Sequence, residues 1–106
     1  MANKLQNSRQ HAFSRQGGHC YYCNLRMWQH GQDGPRQLLC TAEHLTARSN
    51  GGRDERTNIV AACLHCNTTR HKRKRPPEPE RYRAQVRRRV ERESWLPAHV
   101  LAWGRG

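Results

Sequence analysis

Two C-x2-C pairs, Cys20/Cys23 and Cys63/Cys66, bracket a stretch of this chain that carries Glu43, His44 and Asn58. These residue types offer two kinds of chemistry. Four thiolates on two knuckles satisfy the tetrahedral preference of zinc and would make a structural clasp. The acidic residue, histidine and asparagine between the knuckles have the makings of phosphodiester hydrolysis. That reaction needs a nucleophile deprotonated near neutral pH, for which histidine with its ordinary pKa of about 6.5 is suited. It also needs charge relief at the leaving oxygen, which a divalent ion supplies.

The spacing of the clasp is informative. An ordinary zinc ribbon separates its pairs by roughly 15 to 20 residues, whereas 39 residues, Asn24 to Ala62, lie between these. The clasp therefore encloses an inserted element. Cys40 is left over in an apolar run, where cysteine behaves as a small hydrophobe, and is read as core.

Composition agrees with a stapled single domain. The chain has 106 residues, of which 34% are hydrophobic, so its apolar core is small and a staple is needed. The polar start Met-Ala-Asn-Lys-Leu-Gln-Asn-Ser does not resemble a signal peptide, which places the cysteines in a reducing compartment as thiolates. No apolar run approaches the roughly 20 residues of a membrane helix. The expectation is a soluble, cytoplasmic protein of a bacterial or phage-infected cell, not secreted and without a membrane partner. Lys and Arg number 20 against 8 Asp and Glu, a formal net charge of +12. Clusters at Arg70–Arg75 and Arg87–Arg89 point to a polyanion bound mainly through its phosphates, with salt-sensitive affinity.

The elements that must position these residues are short. A weak helix is predicted over Asn3–Arg15, stopped by Gly17-Gly18. The Cys20–Cys23 knuckle follows, with Tyr21 or Tyr22 covering the metal and Met27 and Trp28 in the core. Gly31–Arg36 is a loop. Gln37–Ala42 reads as a strand that delivers Glu43-His44 at or near its end. Ser49–Glu55 is a second loop, and Asn58–Ala62 is the partner strand of a long-connected hairpin. A helix over Leu64–Lys74 is closed by Pro76, Pro77 and Pro79. Glu80–Ser94 is a basic helix with Tyr82, Val86 and Val90 as an apolar stripe. The apolar tail from Trp95 to Trp103 either packs back or meets a partner.

The ordered set Cys20-x2-Cys23, Glu43-His44, Gly51-Gly52, Thr57-Asn58-Ile59-Val60 and Cys63-x2-Cys66-Asn67-x2-Arg70 resembles the HNH endonuclease family in its four-cysteine form. The resemblance spans about Cys20 to Lys72. It implies an α+β fold, a small zinc-stabilised ββα-metal (His-Me finger) domain with flanking helices. It also implies a catalytic divalent cation separate from the structural Zn2+ of Cys20, Cys23, Cys63 and Cys66. By this resemblance His44 is the general base and Glu43, on the other side of the strand, is a metal ligand. Asn58 orients His44 through its ring or holds the loop that carries it. Asn67 and His71, one helical turn apart, join Glu43 around the ion. Asn67 stands where some members carry histidine, which favours Mg2+ or Mn2+, while His71 would also accept Ni2+ or Zn2+. Arg70 takes the place of a common family lysine at phosphate.

The function implied is a metal-dependent DNA endonuclease, nicking or cutting both strands, of a phage, restriction or mobile-element type. Arg48, Arg70, Lys72, Arg73, Lys74, Arg75, Arg87 and Arg88 would form its nucleic-acid contacts. The competing function is a zinc-containing nucleic-acid-binding module without catalysis. Three segments are expected: an N-terminal helical lead-in over 1–19, the ββα-metal domain with its clasp over 20–75, and a basic helix with an apolar tail over 76–106.

Overall fold

A computed structural model describes residues 3–106. Helix α1 spans Lys4–Arg15, followed by the first knuckle. Strands β1 (Cys40–His44) and β2 (Ile59–Cys63) form one antiparallel pair. Helix α2 (Leu64–His71) follows β2 directly, and α3 (Pro79–Glu91) and α4 (Ala98–Gly104) complete the chain. No helix among the described residues is long and apolar enough to cross a membrane.

The hairpin and α2 are the centre of the fold. Cys40 pairs with Cys63 and His44 with Ile59, so Glu43 and His44 are the last two residues of β1 rather than lying beyond it. The strand also starts later than its apolar pattern indicates. Pro35, with φ fixed at −67°, opens a 3-10 turn over Arg36–Leu38 that buries Leu38 completely. β2 is buried at every position, as a strand covered on both faces must be. Helix α2 stops at His71, short of the predicted Lys74. The four cations 72–75 repel one another, and the residue before Pro76 is driven out of helical backbone. Pro79 opens α3 as its first residue, where its missing N–H costs nothing.

Helix α1 is more than a lead-in. A capping box starts it: the Asn3 side chain accepts from Gln6 N–H at 2.8 Å, and Gln6 Oε1 accepts from Asn3 N–H. Just past its end, the Gln16 side-chain amide pairs with both the N–H and the C=O of Ala61, at 3.0 and 2.8 Å. This satisfies the free edge of β2 as a third strand would. The tail packs back. Val100 and Leu101 are buried, and Arg26 lies 3.8 Å over the Trp103 ring while donating to the Trp103 carbonyl. Gly104 allows that approach, because a Cβ there would fall 2.9 Å from Leu38 Cδ1 and 3.0 Å from Leu25 Cβ.

Candidate active site

The four paired cysteines meet. Cys20 and Cys23 come from the knuckle, whose turn is completed by Asn24 in the left-handed region (φ 61°). Cys63 ends β2 and caps α2 by accepting from Cys66 N–H, and Cys66 lies in the first helical turn. Their sulfurs all lie within 4.8 Å of one another and all four residues are buried, forming a possible metal site. Backbone N–H groups of Tyr22 and Cys63 point at Cys20 Sγ, and Trp95 Nε1–H points at Cys66 Sγ, at 3.3–3.4 Å. Donors of this kind orient and stabilise ligating thiolates. Burial alone would raise the Cys20 thiol, but hydrogen bonds from Cys23, Cys63 and Cys66 hold it well below the ordinary thiol range. Burial pushes Cys66 well up. Tyr82 and Trp95 cover the cluster, with Tyr82 O–H donating to the Cys66 carbonyl at 2.7 Å. Tyr22 has another task.

Glu43 is 2% exposed, an expensive place for a carboxylate unless it is paired and hydrogen-bonded. It is both. Oε2 accepts from Tyr22 O–H at 2.9 Å and from Arg70 Nη1 at 3.1 Å, while Oε1 lies 2.9 Å from His71 Nε2. Burial, then the Glu43 charge, pushes the Tyr22 phenol well above its ordinary range, so it stays protonated and donates. The carboxylate is therefore fixed with one oxygen facing inward and the other facing His71. Asn67 sits one turn before His71, and its Nδ2 donates to Thr41 Oγ1 and the Ala42 carbonyl, tying α2 across β1. Glu43, His44, Asn67 and His71 line one open cleft with Ala47, Arg48 and Ser49.

His44 points away from Glu43, as neighbours on a strand must. Its Nε2 lies 2.8 Å from Asp54 Oδ1, and Arg48 contacts both oxygens of the same carboxylate at 3.0 and 3.1 Å. The hydrogen bond with His44, then that from Arg48, holds the Asp54 carboxyl below its ordinary range. Asn58 makes no hydrogen bond to the His44 ring. Its Oδ1 accepts from Thr46 N–H, and its Nδ2 donates to the Thr46 and Arg53 carbonyls. Of its two predicted tasks the loop clamp is the one its contacts match. Gly52 completes the clamp, because a Cβ at that position would lie 1.8 Å from the Thr46 carbonyl oxygen.

Residues 20–73, just over half of the chain, match the HNH endonuclease family. The chain belongs to that family. No curated protein and no solved structure matches it. The HNH segment contains the knuckle, hairpin and α2, so the cysteine cluster and all of the cleft's lining except Leu5 of α1 lie inside it.

The cations predicted at nucleic acid divide into two groups. Arg48, Lys72, Arg73, Lys74, Arg75, Arg87 and Arg88 are exposed. Arg70 is not: at 6% exposure it faces inward, where it neutralises Glu43 and donates to the Pro77 carbonyl at 2.8 and 3.0 Å. Burying Glu43 requires that counter-charge. Arg87 donates to the carbonyls of Tyr22 and Tyr21 and so ties α3 to the knuckle. Sequence reasoning missed Asp54 and Tyr22 as partners of the site. Neither spacing nor periodicity links Asp54 to a strand residue ten positions earlier; the contact is created by the loop's return.

Proposed function

We propose that this HNH chain is a metal-dependent DNA endonuclease, with Zn2+ in the cysteine cluster and a second divalent cation, Mg2+ or Mn2+ by preference, in the cleft. The observation that carries the reading is the convergence of Glu43, His44, Asn67 and His71 on one cleft. Zinc suits the cluster, since a tetrahedral ion with Zn–S near 2.3 Å separates its sulfurs by about 3.8 Å, and Cys23 and Cys63 are 3.9 Å apart. Glu43 Oε1 and His71 Nε2 would hold the catalytic cation, with the Asn67 amide beside them. So few protein ligands suit an ion that keeps waters and takes substrate phosphate oxygens.

The bound cation would supply charge relief at the phosphate and the departing oxygen. His44 removes a proton from water as the water oxygen attacks phosphorus in line. The P–O3′ bond breaks, and the departing oxygen is protonated by solvent, leaving 5′-phosphate and 3′-hydroxyl ends. Arg70 and Tyr22 keep the Glu43 carboxylate from turning. Exposed Arg73, Lys74 and Arg75 line a groove that shares His71, Ala47 and Ser49 with the cleft, which gives the phosphates a basic path into the site.

One observation favours the runner-up, a nucleic-acid-binding module without catalysis. The Arg70 ion pair already neutralises Glu43 and weakens its draw on a cation. Plasmid relaxation and linearisation by the zinc-loaded protein, with Mg2+, Mn2+ or Ni2+ and with EDTA, decides between them. The endonuclease reading expects metal-dependent cutting that EDTA abolishes; binding without cutting under every metal selects the module.

A further inference from the structure

The Asp54 carboxylate faces His44 on one side and Arg48 on the other, and nothing in the proposed chemistry has yet used it. We propose that Asp54 is the positioning residue for the His44 base, holding its Nε2–H so that Nδ1 is the nitrogen presented to water. This rests on the endonuclease reading above.

The geometry supports the assignment at three levels. An ionised carboxylate that accepts on both oxygens from Arg48 is acceptor-only, so the 2.8 Å contact requires the proton on His44 Nε2. The neutral ring then has a single basic nitrogen, Nδ1, and its plane is fixed by the bond at the opposite corner. The carboxylate also balances the imidazolium formed when Nδ1 takes a proton. Among the described residues, the carboxylate in contact with His44 is Asp54; Glu43, next in the strand, points to the other side and is paired with Arg70 and His71. The cation facing it is Arg48.

The loop is built to hold Asp54 there. Asn58 donates to the carbonyl of Arg53, the residue before it. Ser8, 4% exposed on α1, donates to the Asp54 carbonyl itself at 2.8 Å. Two clamps therefore meet at consecutive peptides. One of them comes from a helix outside the segment that matches the family. Arg48 is 62% exposed and its Nη1 makes no bond among the described residues, which leaves it free for a phosphate while it steadies Asp54.

The test uses the zinc-loaded full chain and three variants, Asp54→Ala, Asp54→Asn and Asp54→Glu, with circular dichroism confirming that each is folded. Under single-turnover conditions Asp54→Ala and Asp54→Asn should cut about 10- to 100-fold more slowly, the range for losing a residue that orients a working histidine. Affinity for a short duplex, measured without divalent ion, should be unchanged or tighter, because Arg48 is released. Asp54→Glu should recover much of the rate. Independently of activity, 15N-resolved spectra should show the His44 Nε2–H as a downfield, exchange-protected resonance in the parent and in Asp54→Glu, and lose it in Asp54→Ala. A parent that cuts, joined by an Asp54→Ala that cuts equally fast, overturns this proposal and leaves the endonuclease reading standing. An unprotected Nε2–H in the parent overturns it as well. A parent that fails to cut under every metal tried removes both.

Discussion

The cysteine cluster and the candidate cleft share one short element, the β2–α2 junction, yet they are built in opposite ways. The cluster uses four identical donors, all buried, placed by the first knuckle and the β2–α2 junction, with Tyr82 and Trp95 packed on Cys66. The cleft draws unlike side chains from a strand, a loop and a helix, and leaves His71 39% and Arg48 62% exposed. A scaffold site can be closed, whereas a site that admits a phosphodiester must stay open, so its geometry has to come from bonds made behind it. Glu43 belongs to both regions, being buried like the cluster and facing the cleft through one oxygen.

The comparison breaks first at the cluster. Cys66→Ala, or removal of the metal by a strong chelator, should abolish the cooperative thermal transition, since the apolar core is small and metal binding is folding free energy here. A cooperative transition in demonstrably metal-free protein would show that the cluster is not the scaffold. Next comes Glu43→Ala, which leaves Arg70 as an uncompensated buried charge and should cost about 3–5 kcal/mol in denaturant unfolding. It should also abolish cleavage. A Glu43→Ala protein of parental stability would place the residue with the cleft alone.

Asn58→Ala sharpens the contrast on the open side. Thr46 N–H loses its partner and two carbonyls lose their donor, so about 1–3 kcal/mol of stability should go, with slower cutting because the loop no longer holds Asp54 against His44. Equal stability with slower cutting would instead indicate a direct role in chemistry. Acid titration should separate the regions further. The Asp54 carboxyl is depressed in the folded state, so its contribution is present above the ordinary carboxylate range and is lost as pH falls through its folded value. Replacing it with Asn should flatten that acid limb in urea-melt stabilities measured across pH. The smallest effect belongs to Cys40, whose thiol burial pushes up to about 11. Cys40→Ala should keep one zinc per chain by elemental analysis, and in the folded parent Cys40 should not react with a thiol reagent at pH 8.

What could be read from the sequence follows the same division. The cluster was legible because its donors are of one type at fixed short spacing, and the hairpin and α2 followed from the apolar runs beside them. Glu43, His44, Asn67 and His71 were legible through the family pattern. Their supports were not. Tyr22 reads as a cover for the metal but donates to Glu43, Arg70 reads as a phosphate contact but faces inward, and Asp54 lies in a loop that composition marks only as irregular. Each of these contacts joins residues far apart in sequence through tertiary closure, which leaves no periodic trace. The tail was undecided for the same reason, since only the space beside Leu25 and Leu38 shows that Gly104 fits there.

The central claim is that chemistry resides in the cleft and not in the cluster. The measurement that tests it most directly is single-turnover plasmid cleavage by zinc-loaded His44→Ala beside the parent, each at the same folded fraction. Loss of a general base predicts a fall of about 10²–10⁴-fold with zinc content unchanged. Cutting at the parental rate by His44→Ala would contradict the account.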